Sequence, residues 1–307
     1  MRDVRKVTLL AGGVGGAKLA QGLDRATSAL TVVVNTGDDA VVYGLSISPD
    51  LDTVMYTLAG IADPQHGWGI AGDTYATLEA MARLGQDTWF RLGDRDIATH
   101  VLRTDRLRAG VPLSEATAEL ASALGVRPRL LPMTDDAVAT LIDTPAGRLE
   151  FQEYFVARRH ADEVLGVVLD GVERATPAPG VLEALDADVV VIGPSNPFVS
   201  IGPVLAVPGV RESLTASAAR RVAVSPIVGG RALKGPAAAM LAAMGHDVSA
   251  LGVARLYAGL VDVYVIDESD RALAPAVEEL GMTAMVTRTV MGGPEDRERL
   301  AREILAA

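Results

Sequence analysis

Cysteine is absent from all 307 residues, which removes disulfides, thiolate metal sites and thiol nucleophiles from the chemistry open to the chain. A reducing, cytoplasmic setting is expected from that absence. Long apolar runs are missing too. Hydrophobic residues make up 49% of the chain, yet the runs are short and broken by Gly, Asp or Pro, as at residues 188–193, and none could span a bilayer. Residues 1–6 carry the charges of a secretion signal, but the apolar stretch behind them covers only residues 7–11 before glycines intervene, so it reads as a first strand. Basic charge is also scarce: 28 Lys and Arg face 39 Asp and Glu, a net charge of -11. Such a chain repels a polyanion, so neither nucleic acid nor membrane is expected as a partner. A small phosphate ester remains compatible, provided backbone amides, a few basic side chains and a metal cation reverse the local field.

What is present alternates. Residues 7–11, 31–35, 164–169, 188–193, 221–225, 261–267 and 282–287 are short runs rich in β-branched residues, mostly apolar throughout, as strands buried on both faces should be. Helix-like stretches lie between many of them, at residues 17–26, 209–219, 235–244, 271–280 and 294–305. The expected fold is α/β, a doubly wound, Rossmann-like, mostly parallel sheet. The middle of the chain departs from this pattern. Helical segments are predicted at 74–84, 96–107 and 114–124, followed by two alternating runs, 139–143 and 148–156, around the turn Thr144-Pro145-Ala146-Gly147. Residues 1–50 and 160–307 are therefore assigned to a nucleotide- and metal-binding core. Residues 51–159 are assigned to a mainly helical insertion, closed by a hairpin and covering the substrate cleft.

Gly12-Gly13-Val14-Gly15-Gly16-Ala17-Lys18 follows the first strand and opens a helix. Four glycines in five positions let backbone amides approach a phosphate at a helix N-terminus. The dinucleotide fingerprint begun at Gly13 would need glycine where Lys18 stands, and a P-loop would need Gly-Lys-Ser/Thr where the chain has Ala17-Lys18-Leu19. A nicotinamide dehydrogenase and a Walker-type ATPase both lose ground. The second strand delivers Asn35, Asp38 and Asp39 to the same edge, and Asp50 and Asp52 soon follow. Hard carboxylates near a phosphate loop suit Mg2+, which takes one or two of them plus substrate oxygens. Equally, Ser48 as N-cap and Pro49 at the first helical position would leave Asp50 and Asp52 merely complementing a helix dipole.

Polar groups recur at other strand ends, where doubly wound sheets bind ligands. Ser195 and Asn196 follow the run ending at Gly193, while Ser225, Gly229, Gly230 and Lys234 follow the next and suggest a second small phosphate or base loop. In the insertion, a helix from Asp94 would place Asp96, His100 and Arg103 on one face and Arg95 and Thr99 on the next. That face suits a lid over an anionic substrate, with Arg95 and His100 as candidates; the alternative is a solvated helix capped by Asp94, which is preferred for Arg106 and Arg108. The role of His100 stays open. Trp68, between Gly67 and Gly69, is read as packing rather than as a stacking platform.

Taken together, Gly12 to Gly16, Val34-Asn35-Thr36-Gly37-Asp38-Asp39, Ser48-Pro49-Asp50-Leu51-Asp52-Thr53, the Leu92 to His100 segment, Gly193-Pro194-Ser195-Asn196-Pro197 and Val224-Ser225-Pro226-Ile227 resemble the 2-phospho-L-lactate transferase family of coenzyme F-420 biosynthesis. The resemblance runs nearly end to end. It implies that the terminal ribityl hydroxyl of a deazaflavin attacks the phosphorus bearing a lactyl or enolpyruvyl group of a guanosine diphosphate ester, releasing GMP with help from Mg2+. By resemblance, Asp38 and Asp50 hold the metal and are the catalytic candidates. Asp50, Ser195 and Asn196 border the deazaflavin, and Gly12, Gly13, Gly15, Gly16 and Lys18 serve the nucleotide phosphates. A homodimer is implied as well. Archaeal relatives carry a threonine in that loop, which this chain lacks. The rival is a related branch, non-catalytic nucleotide-sugar-binding regulators, which shares the glycine-loop sheet but not the Ser-Pro-Asp-Leu-Asp and Gly-Asp-Arg-Asp segments together.

Overall fold

A computed structural model describes residues 3–307. Seven strands, β1 (Asp3–Ala11), β2 (Thr27–Val34), β3 (Arg129–Pro132), β4 (Val189–Ile192), β5 (Arg220–Val224), β6 (Val263–Asp267) and β7 (Thr283–Thr287), form one sheet in the order β7-β6-β5-β4-β1-β2-β3. Every neighbouring pair is parallel. The order reverses between β1 and β4, which makes the edge above these two strands the topological switch point of a Rossmann-like sheet.

Strand alternation divides the apolar residues between two layers. Leu9, Val32, Val34, Val191 and Val224 pack beneath helix α1 (Gly13–Ala26), helix α2 (Pro49–Ala59) and the C-terminal helix Pro294–Ala306. Leu10, Val33, Ile192, Ala223 and Ile266 face the helices of the other side, among them Ile201–Ala206 and Ala250–Tyr257. Both faces are covered, so the strands are apolar throughout rather than alternating. Among the described residues no helix is long and apolar enough to cross a membrane.

Three expectations are corrected. The run at 164–169 does not join the main sheet: Gly166–Asp170 pairs antiparallel with Ala139–Thr144, which also pairs with Gly147–Glu150 in a separate three-stranded sheet. The seventh parallel strand is instead β3, inside the span 51–159. An apolar run does not reveal its partner, and a four-residue strand ending in proline gives little local signal; at the sheet edge the missing Pro132 N–H costs no ladder bond. The second hairpin strand ends at Glu150 rather than continuing to 156. Beyond it Phe151, Tyr154 and Phe155 share the face of a wide helical turn, Glu153–Ala157, and the rings of Phe151 and Phe155 stack with centroids 5.4 Å apart. Asp94, finally, caps not its own helix but the one before it. Its carboxylate accepts from Ala76 N (3.0 Å), Thr77 N (2.9 Å) and Thr74 Oγ1, at the start of α3 (Ala76–Arg83). In return Asp73 accepts from Arg95 N (3.0 Å) and Asp96 N (3.1 Å), at the start of α4 (Asp94–Arg108). This reciprocal capping fixes the angle at which α4 meets the core.

Candidate active site

A cavity of about 790 Å³ opens at the switch point. The ends of β1, β2, β4 and β5 form its floor, with Gly12, Asp38, Ser195 and Ser225 on the lining, and residues of the 51–159 span form a wall that includes Trp89, Phe90, His100 and Phe151.

The glycine turn lies against its neighbours. A Cβ on Gly15 would overlap the Pro194 carbonyl oxygen, and one on Gly12 would stand 2.6 Å from both Asp50 Oδ2 and Ser200 Cβ. Gly16 packs below the cavity, where a Cβ would lie 2.8 Å from that of Ala11. These glycines thus allow the β1 and β4 loops to meet. Ser195 locks them together: its hydroxyl donates to Gly12 O (2.7 Å) and accepts from Gly12 N (3.3 Å).

Asp50 sits on the first turn of α2, facing the first turn of α1, and accepts from Gly13 N at 2.6 Å. The Gly13 amide expected on a phosphate is therefore held by a carboxylate in this state. The next two amides, Val14 and Gly15, have no i−4 partner within the helix. Asn35, at the end of β2, donates from one amide nitrogen to Asp50 Oδ2 and Asp38 Oδ1, each at 2.9 Å, and its carbonyl accepts from Gly37 N. Gln152 adds a bond to Asp38 Oδ2 at 3.2 Å. Every hydrogen-bond donor recorded on the two acids is neutral. Burial pushes the Asp50 carboxyl up to about 6, against the bonds from Asn35 and Gly13. Asp38 is raised well above the ordinary carboxylate range, first by burial and then by the charges of Asp50 and Asp39. Asp39 bonds to Ser48 Oγ at 2.6 Å, so the Ser48 hydroxyl makes no side-chain cap on α2.

Behind this pair lies a second set of buried acids with a cation. Arg103, 1% exposed, grips both Asp52 oxygens, with Nη1 3.0 Å from Oδ2. The same Nη1 lies 3.3 Å from His100 Nδ1. A guanidinium only donates, so Nδ1 accepts there, while Nε2 stands 3.1 Å from Asp96 Oδ1 without a hydrogen bond to it. Tyr56 donates to that Asp96 oxygen at 2.7 Å. Asp96, His100 and Arg103 thus share one face, as predicted, but the face is turned into the protein. Arg95 points elsewhere, onto Ala71 O and Asp73, and does not line the cavity.

Of the other candidates, Lys18, Asn196 and Ser225 line the cavity, whereas Gly229 does not and gives its amide to Asp270 (2.9 Å). Asn196 spends its side-chain oxygen on Phe198 N (2.9 Å), and Ser225 donates to Ile227 O (2.8 Å). Trp68, expected to be packed, is 40% exposed on the cavity rim, because the glycines beside it hold positive φ and turn the loop outward. Sequence reasoning missed Gln152; its one signal was a lone amide inside the aromatic run 151–155.

Among the described residues, no group of three or more His, Asp or Glu is placed to hold a metal. The Asp38–Asp50 pair fits the other mode of binding Mg2+, one or two carboxylates completed by substrate oxygens. Its mutual repulsion is what a divalent cation relieves.

Comparison with known proteins finds relatives along nearly the whole chain. A family model described as 2-phospho-L-lactate transferase CofD matches residues 7–288. A protein of Methanosarcina acetivorans named 2-phospho-L-lactate transferase is 44% identical over 300 residues, covering 97% of each chain. One of Streptomyces griseus named phosphoenolpyruvate transferase is 43% identical over 309 residues, covering 98% of this chain and 97% of its own. The crystal structure of a UPF0052 family protein from Bacillus halodurans, at 18% identity, superposes with a TM-score of 0.64 over 99% of this chain and 100% of that one, and so shares the fold. With a matching model across most of its length and relatives above 40% identity over nearly all of it, the chain belongs to the 2-phospho-L-lactate transferase family.

Proposed function

We propose that the protein transfers a phospholactyl or phosphoenolpyruvyl group from a guanosine diphosphate ester to the terminal ribityl hydroxyl of a deazaflavin, releasing GMP in an Mg2+-dependent reaction. The observation that carries this reading is the Asp38–Asn35–Asp50 cluster, two buried acids with only neutral donors beside a glycine turn.

The hydroxyl oxygen forms a bond to the phosphorus bearing the acyl group, the bond from that phosphorus to the GMP oxygen breaks, and the hydroxyl proton passes to the Asp50 carboxylate or to solvent. A diphosphate ester already contains a good leaving group, so alignment and charge neutralisation are what the site must supply. Asp38 and Asp50 would hold Mg2+, which when bound supplies positive charge to the transferring phosphoryl oxygens. Lys18 and the amides of Val14 and Gly15 meet the charge that collects on departing GMP. Ser195 and Asn196 flank the acceptor hydroxyl, and the wall of Trp89, Phe90 and Phe151 gives the deazaflavin ring apolar area while excluding water. No covalent intermediate is needed.

The test incubates purified protein with Mg2+, deazaflavin and either ester, and follows GMP and the product mass. GMP release that EDTA abolishes and Mg2+ restores is expected. Binding of both esters without consumption of either would overturn the reading in favour of a binding protein. Mass spectrometry of products from the competing esters identifies the preferred acyl group.

A further inference from the structure

In a chain of net charge -11, most arginines near acids are ion-paired, as Arg127 is with Asp24 and Arg221 with Asp262. Lys18 and Lys234, on the cavity lining, and Arg297, whose charge acts on Lys18, have no ion pair recorded among the described residues. Lys18 Nζ donates to Met291 O (3.1 Å), Lys234 Nζ donates to His66 O (2.8 Å), and Arg297 donates to Gln21 Oε1 (2.6 Å) while its Nε has no partner. All three recorded acceptors are neutral oxygens. Burial, then the charges of Arg297 and Lys234, push the Lys18 ammonium below its ordinary pKa. The mouth is therefore short of negative charge, the reverse of the Asp38–Asp50 floor.

Lys234 holds a particular place in this group. It follows the small hairpin Ile227–Val228 and Arg231–Ala232, and its bond reaches across 168 positions of sequence to the loop 63–69. That loop is a unit, closed by Asp63 N to Gly69 O (3.0 Å) and Gly67 N to Asp63 O (2.8 Å). It rests on the glycine turn: a Cβ on Gly67 would lie 2.8 Å from Val14 Cγ1 and 3.1 Å from Lys234 Nζ. It carries Trp68, whose ring lies 5.3 Å from that of His66. An ammonium has three N–H donors, and one protein acceptor is recorded for this one. The others are available to an anion in the cavity, where a phosphate oxygen brings the full opposite charge that a carbonyl lacks.

We propose that Lys234 is a strap: it binds the diphosphate of the nucleotide while keeping the His66 carbonyl, and so holds the 63–69 loop and Trp68 closed over the bound nucleotide. The inference rests on the reading above only in taking the ligand to be a nucleoside diphosphate ester. Binding therefore tightens the strap, and GMP, with one phosphate, engages it less than GDP does.

Calorimetric titration of the intact protein with GDP and with GMP, in the presence of Mg2+, tests it. Lys234→Met should weaken GDP about 10- to 100-fold and GMP by less than about threefold, so that the preference for the diphosphate collapses. Lys234→Arg should restore most of it. With Trp89→Phe as background, Trp68 emission should shift on adding GDP and stay unmoved once Lys234→Met is added. GDP binding unchanged in Lys234→Met would overturn the strap, as would an equal loss of GDP and GMP, which marks a merely structural loop. A wild-type protein that binds no GDP overturns it as well. Failure to release GMP from either ester, with GDP still bound through Lys234, removes the proposed reaction and leaves the strap standing.

Discussion

Asp50 and Asp52 stand two residues apart on the first turn of α2 and are buried to nearly the same extent, 7% and 5% exposed, yet they meet opposite kinds of partner. Asp52 faces Arg103, a full cation brought in by α4. Asp50 faces Asn35 and the Gly13 amide and shares its surroundings with a second acid, Asp38. A buried charge with a matched cation holds elements together, here α2 and α4, while one without a counter-charge costs free energy until a cation arrives. Position along the chain does not distinguish the two acids. Their compensation does, and it separates scaffold from site. The cavity mouth repeats the lesson with the signs exchanged, since Lys18 and Lys234 rest on carbonyl oxygens.

Three measurements would break or sharpen this contrast. The largest effect is expected for Asp50→Asn, which keeps the shape and removes the charge: transfer should fall roughly 1000-fold or more, the scale of losing one electrostatic contact in a transition state. Its stability should move the other way. The folded pKa of Asp50 is about 6, above its ordinary value, so the folded state holds its proton longer than the unfolded chain. Stability is then lost as pH rises from about 4 to about 6, and the penalty is complete above that window. After allowance for the weakened Asn35 bond, Asp50→Asn should gain on the order of 1 kcal/mol at pH 7 and nothing below about pH 4. Urea unfolding at both pH values reads this. Mg2+ should raise the midpoint of the wild type and not of the variant, and a variant less stable at pH 7 would break the contrast.

Arg103→Met comes next. It strands Asp52 without its cation and should cost about 3–5 kcal/mol of stability. The double variant Asp52→Asn/Arg103→Met should recover most of that loss, because both charges are then gone; additive losses in a double-mutant cycle would deny that the pair acts as a unit. The smallest effect is expected for Tyr56→Phe. Removing the hydroxyl that donates to Asp96 should cost about 1 kcal/mol in urea unfolding and leave transfer within about threefold. A loss of transfer comparable to that of Asp50→Asn would move Asp96 and His100 from the scaffold into the chemistry.

Much of the fold was legible. Continuous apolar runs marked six of the seven parallel strands, since burial on both faces leaves its record in each residue of a strand. The glycine cluster marked the turn after β1, and Asp38 was placed at that edge because it follows the second strand closely, whereas Asp50 was chosen over its helix-capping role by the family resemblance. The seventh strand was not legible: Arg129–Pro132 is too short to carry a period, and the stronger run at 164–169 belongs to another sheet. Gln152 went unseen for a similar reason, because an amide becomes part of the site only when the turn after Glu150 carries it 114 positions back to Asp38.

Strand and helix periods, the glycine turn, the four acids and the cations are thus properties of the chain read along its length. Which acid has a cation and which has none is not. Arg103 reaches Asp52 across 51 positions and Lys234 reaches His66 across 168. Charge compensation is a matter of distance through space and of exclusion from water, so although the family resemblance singled out Asp50, only the folded arrangement gave the physical difference from Asp52, which local sequence presents as the same kind of residue on the same turn of helix.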